Sequence, residues 1–266
     1  MKYEAKADDN SDGVGDANQA TSSNIWPADT YPISGSRKLV STATGCPVAN
    51  ISQTTSLTAA SSYTANCDTG CHLITGAEWM TIAQNVLGVA SNWSGGSVGS
   101  GYIYSGHNDN APAKALVADA NDANGYSGET NTGGNQRRTL TLTNGEVIWD
   151  MAGNVYEWVQ GTIAGGQQPG LSGDTDYTWK EWNNGSLLMN GLPALSQPSS
   201  TGISGISGWS STQGIGQLLS NYSESTTHTF RRGGYWDTGG FAGVLNLSLL
   251  YSSDVAYASL GMRVAR

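Results

Sequence analysis

The stretch from Arg231 to Arg266, RRGGYWDTGGFAGVLNLSLLYSSDVAYASLGMRVAR, most restricts the folds open to this chain. Glycine-bearing fixed points (Arg232-Gly-Gly, Trp236, Ala242-Gly-Val, Gly261-Met-Arg263) alternate with gaps that follow no hydrophobic rhythm. A core strand repeats its apolar residues every two positions and an amphipathic helix about every 3.6. Neither period persists here. Between Tyr235 and Ser259 there is no Lys, Arg, Glu, Gln, His, Met or Pro. Tyr, Asp, Thr, Phe, Ser, Leu and Val fill the gaps. The pattern is that of a rigid scaffold whose gaps form a binding surface.

Composition supports a recognition surface. Charged residues are 12% of 266, while Gly takes 36 positions, Tyr 12 and Trp 9. Tyr, Ser, Gly and Asn give contact area and adaptable hydrogen bonds at low entropic cost, as in paratopes. A net charge of −9 speaks against nucleic acid as partner, because phosphate binding needs clustered cations. The nearest approaches to a cluster are Arg137-Arg138 and Arg231-Arg232. No apolar run reaches the ~20 residues of a membrane span. The chain opens on polar Met1-Lys2-Tyr3-Glu4 and carries no secretory signal at that point. With an extracellular-looking composition, this predicts a surface-displayed or secreted protein whose leader or anchor lies outside this chain. Three cysteines (Cys46, Cys67, Cys71) predict one disulfide and one free thiol.

The clearest local signal is Thr75-Gly-Ala-Glu78, a capping box that starts a helix over 75–86. Trp79, Ile82, Ala83 and Val86 follow at helical spacing, and Gly88 is the expected stop. Ala113 to Ala120 is a candidate short helix. Residues 138–143 alternate at period two and Asn144-Gly145 predicts a hairpin. Residues 21–70 read as short strands and turns. No repeat and no second core is evident. The organisation expected is an N-terminal strand and acidic loop over 1–20, then one loop-rich domain over 21–266.

Two segments carry metal chemistry. In Asp8-Asp-Asn10-Ser-Asp12-Gly13-Val14-Gly-Asp16 the oxygen-bearing side chains fall at positions 1, 3, 5 and 9, with Gly at 6. That is the first part of an EF-hand-type calcium loop, in which Val14 would offer its carbonyl. The acid normally at position 12 is replaced by Gln19. The loop resembles those of dockerins and thrombospondin-type repeats. The second segment is Val147-Ile-Trp149-Asp150-Met-Ala-Gly153-Asn154-Val155-Tyr156-Glu157-Trp158.

That second run, together with Thr75-Gly-Ala-Glu78-Trp79, Arg232-Gly-Gly-Tyr-Trp236 and Gly261-Met-Arg263, resembles the formylglycine-generating-enzyme-like (sulfatase-modifying factor) family over about 73–266. The resemblance implies an α+β, C-type-lectin-like fold: a small mixed sheet, about two helices and long insertions. It also implies a calcium site built from the Asp150 and Glu157 side chains and the Gly153 and Val155 carbonyls. It does not extend to catalysis. The family's oxidases carry a cysteine pair before the last arginine motif, and no Cys follows Cys71 here; His72, His107 and His228 do not cluster in sequence.

Within that fold group the frame after Arg232 resembles the variable region of diversity-generating-retroelement target proteins. In those proteins template adenines, commonly in Asn codons, are randomised during reverse transcription. Such codons give Tyr, Asp, Thr, Phe, Ser, Leu, Val, Gly or Ala, and never Lys, Glu, Gln, Met or Trp. The variable region implied is about 232–263. The diversified positions implied are Tyr235, Asp237, Thr238, Phe241, Ser248, Leu250, Tyr251, Asp254, Val255, Tyr257 and Ser259. Met262 stands where the family usually has Phe. The expectation is a non-enzymatic protein that binds a protein or carbohydrate on another cell or virion. The alternatives are a relative of the formylglycine-generating oxidases and a lectin or adhesin of fixed specificity.

Overall fold

The computed structural model describes residues 1–8, 12–15, 38–63, 70–116, 136–198 and 208–266. In chain order these form β1 (Lys6–Asp8), β2 (Lys38–Val40), α1 (Gln53–Ser61), β3 (His72–Leu73), α2 (Gly76–Leu87), β4 (Thr139–Thr141), β5 (Val147–Trp149), β6 (Tyr156–Ile163), β7 (Thr178–Lys180), β8 (Leu218–Ser220), β9 (His228–Gly233), β10 (Gly243–Ser248), β11 (Leu260–Met262) and β12 (Val264–Ala265). The class is α+β. The main sheet has six strands in the order β11-β6-β9-β10-β8-β7, and β1-β2, β3-β12 and β4-β5 form three small pairs.

The sheet is mixed because its middle strands come from distant parts of the chain. β6 pairs antiparallel with β9 (Glu157 opposite Arg232) and parallel with β11 (Glu157 opposite Gly261). The two motifs read from the sequence therefore lie side by side as neighbouring strands. Residues 156–159 of β6 are all buried, since apolar clusters cover both faces of the sheet. One cluster packs Trp79, Met80, Ala83 and Val86 of α2 against Val159, Phe230, Val244 and Leu247. The other gathers Trp158, Leu260, Met262, Ile51 and Val48 with Ala5 and Ala7, so the N-terminal strand is packed into the same body. The Trp158 indole N–H donates to the Ile51 carbonyl at 2.7 Å, satisfying its one polar atom in the dry core.

α2 begins as the sequence predicts. The Thr75 hydroxyl accepts from the Glu78 amide, the Glu78 carboxylate accepts from the Thr75 amide, and Gly88 is the C-cap. The hairpin also forms, with Thr139 opposite Trp149 and Gly145 at φ +85° in the turn. α1 is a departure from the expected strands and turns. Its Ser/Thr-rich sequence has no apolar stripe, yet Ser52 caps it and the Gln53 amide donates to the Val159 and Gly161 carbonyls at 2.7 and 2.9 Å. Those carbonyls lie where β6 slips register against β9, so α1 satisfies polar groups that the ladder leaves open. The helix expected over 113–120 is not present in its described part, 113–116, and the remainder lies outside the described residues.

Of the cysteines, Cys71 is disulfide-bonded and Cys46 is buried outside any disulfide. His72, the sequence neighbour of Cys71, turns to the Glu78 carboxylate at 2.9 Å. The acid thus serves the cap and the imidazole together. Hydrogen bonds from Thr75 and His72 outweigh its partial burial and hold Glu78 below the usual carboxylate range; the Gly70 carbonyl and Glu78 hold His72 above the usual imidazole value.

Two outcomes follow. Trp158→Ala is expected to lower stability by about 3–5 kcal/mol in urea titration, since a buried indole leaves a large cavity. The stability gap between wild type and Glu78→Gln is expected to be widest at intermediate pH. It narrows as pH falls through the depressed Glu78 value, and again as pH rises through the elevated His72 value, where the imidazolium partner is lost. Urea midpoints across a pH series measure both limbs.

Candidate functional site

The 150–157 turn is held by arginines. The Arg138 guanidinium grips the buried Asp150 carboxylate through two bonds of 2.7 and 2.6 Å. Arg263 does the same to Glu157, at 2.9 and 2.6 Å, and its remaining hydrogen bonds go to the carbonyls of Met1, Lys2 and Trp149. Burial works against both charges of the second pair, lifting Glu157 and opposing the charge on Arg263. Glu157 nonetheless leaves the Arg263 pKa above its ordinary value.

A third carboxylate enters from the N-terminal segment. Glu4 accepts from the Asn154 side-chain amide at 2.6 Å and from the Val155 amide at 3.3 Å. Burial, then the Asp150 charge, pushes its pKa well above the usual carboxylate range, while burial pulls that of the fully enclosed Lys6 down. Within this network Glu4, Asp150 and Glu157 thus match Lys6, Arg138 and Arg263 in number.

Of the four residues expected to form a calcium cage, the Asp150 and Glu157 carboxylates meet guanidinium groups in this structure. The Gly153 and Val155 amides, distinct from the carbonyls such a cage would use, donate to the Gly233 carbonyl and to Glu4. Among the described residues no three His, Cys, Asp or Glu side chains converge as metal ligands. In the N-terminal loop, Asp8 accepts from the Asp12 and Gly13 amides, Asp12 from the Val14 amide, and Gly13 sits at φ +84°. These are the turns that an oxygen-lined loop requires at its first, fifth and sixth positions. Asn10 and Asp16 lie outside the described residues.

The frame of the C-terminal segment rests on this turn. Gly153 donates to the Gly233 carbonyl at 3.1 Å and Trp236 to the Asn154 carbonyl at 3.1 Å. Gly234 has φ +87°, and a Cβ there would stand 2.8 Å from the Ala242 Cβ. Only glycine fits without displacing that strand.

Of the eleven positions implied as diversified, nine are half-buried or exposed: Tyr235, Asp237, Phe241, Leu250, Tyr251, Asp254, Val255, Tyr257 and Ser259. Two are not at the surface. Thr238 is 6% exposed, and its hydroxyl accepts from the Tyr235 amide at 2.8 Å to close the turn. Ser248 ends β10 fully buried and accepts from Arg231 at 2.6 Å. Both were expected as contact positions; both serve internal hydrogen bonds.

The exposed aromatics fall into two groups. Tyr235 stacks on Tyr156 (5.5 Å between centroids, 29° between planes) and meets Trp236 edge-on at 5.4 Å. Tyr251 leans on Tyr257 at 5.3 Å. Arg231 joins these pairs, its guanidinium 4.5 Å from the Tyr156 centroid and 4.1 Å from that of Tyr251. Phe241 stands apart and stacks on Trp179 at 4.8 Å and 10°. The 250–257 loop is moored to α1: the Thr54 amide donates to the Ser253 carbonyl and the Thr54 hydroxyl to Asp254 at 3.1 Å. Near the other group, an open cleft of about 130 Å³ is lined by Tyr102, Ser105, Asn108, Ser211, Thr212 and Gly240.

Sequence reasoning missed Arg231, Tyr156, Glu4 and Arg138. Tyr156 lies inside the 147–158 run and Arg231 just before Arg232-Gly-Gly, so local spacing marks both only as frame. Glu4 alternates with alanine and reads as the wet side of a strand. A scan against protein-family models finds no match, and a search of curated proteins finds none either. No helix among the described residues is long and apolar enough to cross a membrane.

Two measurements probe this site. Glu157→Gln leaves Arg263 buried without its countercharge and is expected to cost about 3–5 kcal/mol by urea titration, with added calcium restoring none of it. Glu4→Gln is expected to flatten the pH profile: a carboxyl with a raised folded pKa stabilises fully below its unfolded value and progressively less as pH rises towards the folded one.

Proposed function

We propose that this chain is a non-enzymatic recognition protein with a C-type-lectin-like fold, whose face after Trp236 is a diversified binding surface displayed outside the cell or on a virion. The observation that carries the reading is a sorting by burial. Of the frame, Arg232, Gly233, Gly234, Ala242, Gly243, Val244, Gly261, Met262 and Arg263 are interior and Trp236 is half-buried, whereas nine of the eleven gap positions reach the surface. A scaffold fixed inside and free outside tolerates exchange of its outer residues, because surface substitutions away from buried features usually stay within about 0.5 kcal/mol.

The mechanism is recognition. Tyr235, Tyr251 and Tyr257 are the contact anchors, since large aromatics dominate interface energetics. Phe241, 40% exposed on Trp179, is a second anchor. Calcium belongs to this proposal at the Asp8–Asp16 loop, where it would stiffen the N-terminal segment beside β1. The second reading, a lectin of fixed specificity, is favoured by the cleft between Tyr102 and Thr212, whose hydroxyl and amide lining suits a sugar.

Comparison of this gene among sibling cells tests diversification. Substitutions are expected to concentrate at the nine surface positions and to spare the glycine frame; an even spread along the chain sinks the idea. In the protein, Asp237→Ala and Tyr257→Ala are expected to leave the melting temperature within about 2 °C, while Thr238→Val and Ser248→Val lower it by breaking internal hydrogen bonds. A chelator is expected to lower the melting temperature through the N-terminal loop, and the absence of any shift removes calcium from the proposal.

A further inference from the structure

Arg231 differs from three other buried basic residues near the strands. Arg138, Arg263 and Lys180 each have a carboxylate, from Asp150, Glu157 and Asp174 at 2.6, 2.6 and 2.9 Å. Arg231 is 3% exposed and has none. Its ionisable neighbours are the phenols of Tyr156, Tyr251 and Tyr235, and burial pulls its pKa down. One nitrogen reaches the Ser248 hydroxyl, the Tyr251 side chain also bonds the guanidinium, and Nε has no hydrogen-bond partner. A guanidinium taken out of water with so little in return is costly to keep. Arg232, next in the strand, also lacks an acid, but it is fully enclosed and donates to the Ser196 carbonyl, so nothing from outside reaches it.

Arg231 is covered by half-buried Tyr251. The Tyr251 ring lies 4.1 Å above the guanidinium, and its own neighbour Tyr257 is 51% exposed. Tyr251 is half-buried, at the start of the 250–257 loop. Cation–π contact holds the roof down without using up the charge, because an aromatic face offers no countercharge. A carboxylate that moves the Tyr251 ring aside gains a charge-assisted bond to Nε that nothing inside the protein supplies.

Position in the sequence adds the decisive point. Arg231 precedes the gap positions, while Tyr235, Tyr251 and Tyr257 are among them. We propose that Arg231 is a constant carboxylate-binding subsite under a changeable aromatic roof, and that the partners of this face are proteins presenting an Asp or Glu side chain to it. This rests on the reading of the face as diversified only for the word constant; the subsite itself is a property of this chain. The protein partner follows from the tyrosine-rich surround, which suits protein epitopes. The shape of the face then changes with the roof, while its requirement for an anion does not. On a chain of net charge −9 such a buried cation acts at contact and not by long-range steering.

The test is a titration of the whole chain at constant ionic strength, following arginine Nε–H resonances by NMR. The probes are N-acetylglutamate N-methylamide, its glutamine counterpart and glucuronate. The expected result is a saturable shift at Arg231 with the glutamate probe, about tenfold weaker with glutamine, the difference between charged and neutral hydrogen bonds. Arg137, which stacks on Tyr104 at 5.4 Å elsewhere, is expected to stay put. Tyr251→Ala, which lifts the roof without touching the charge, is expected to tighten glutamate binding. Arg231→Met is expected to abolish it with the circular dichroism spectrum retained. Equal response to glutamate and glutamine, equal shifts at Arg137, or no saturable response in both wild type and Tyr251→Ala overturns the subsite. Tighter binding of glucuronate than of the glutamate probe overturns the protein partner in favour of an acidic sugar. A gene sequence constant across siblings defeats the diversified reading and leaves this titration intact.

Discussion

Glu157 and Arg263 meet in the dry interior between β6 and the strand pair that ends the chain, and most of the molecule is arranged around that contact. Arg263 also collects the carbonyls of Met1, Lys2 and Trp149, so one guanidinium joins the N-terminus, the hairpin, the middle of the sheet and the C-terminus. Asp150–Arg138 and Glu4–Asn154 extend the network to the two ends of the 150–157 turn. A buried ion pair adds little net stability over an apolar replacement, but removing one member is severe. Such a network therefore favours a single arrangement of strands drawn from distant parts of the chain. Its neutrality depends on every member being present, which ties an otherwise marginal N-terminal segment to the core.

The parts of the fold legible in the sequence were those with local physics. The capping box before α2, the Asn-Gly turn and the buried tryptophans each announce themselves within a few residues, and each forms. The N-terminal segment misleads for an equally physical reason. Glu4, Lys6 and Asp8 alternate with Ala5 and Ala7, the pattern of a strand with one wet face. Both faces are buried. The polar side meets charges more than a hundred residues away, and no local window contains that information. Asp150 and Glu157 carry a spacing that fits a hard-oxygen cage, and the sequence around them does not announce that Arg138 and Arg263 reach the same carboxylates. α1 was missed because its helix is specified by Ser52 and by what Gln53 satisfies on β6, not by an apolar stripe.

The C-terminal segment was read from its frame, and the frame is where sequence and structure agree most closely. Glycines at 233 and 234 have positive φ, and the turn they make is pinned to the 153–154 backbone. Spacing of that kind is a backbone requirement, visible as glycine wherever the chain has no other choice. The gaps carry less information about themselves. Thr238 and Ser248 belong to the same residue classes as their surface neighbours, and only burial separates the two kinds. A hydroxyl can face solvent or close a turn, and the sequence is silent on which.

That ambiguity limits how freely the face can vary. Ser248 is a hydrogen-bond partner of Arg231, and Thr238 holds the turn that carries Tyr235. Exchange at either position acts on the scaffold under the aromatic cluster as well as on its composition. Exchange at Tyr257 or Asp237 acts on composition alone. The face is thus built in two tiers: an outer one of exposed side chains, and an inner one of Thr238, Ser248 and Arg231 on which the outer side chains rest. Because the inner tier is anchored to β9 and β10, which share the sheet with β6, the geometry of this face is held by the same interior that Glu157 and Arg263 organise.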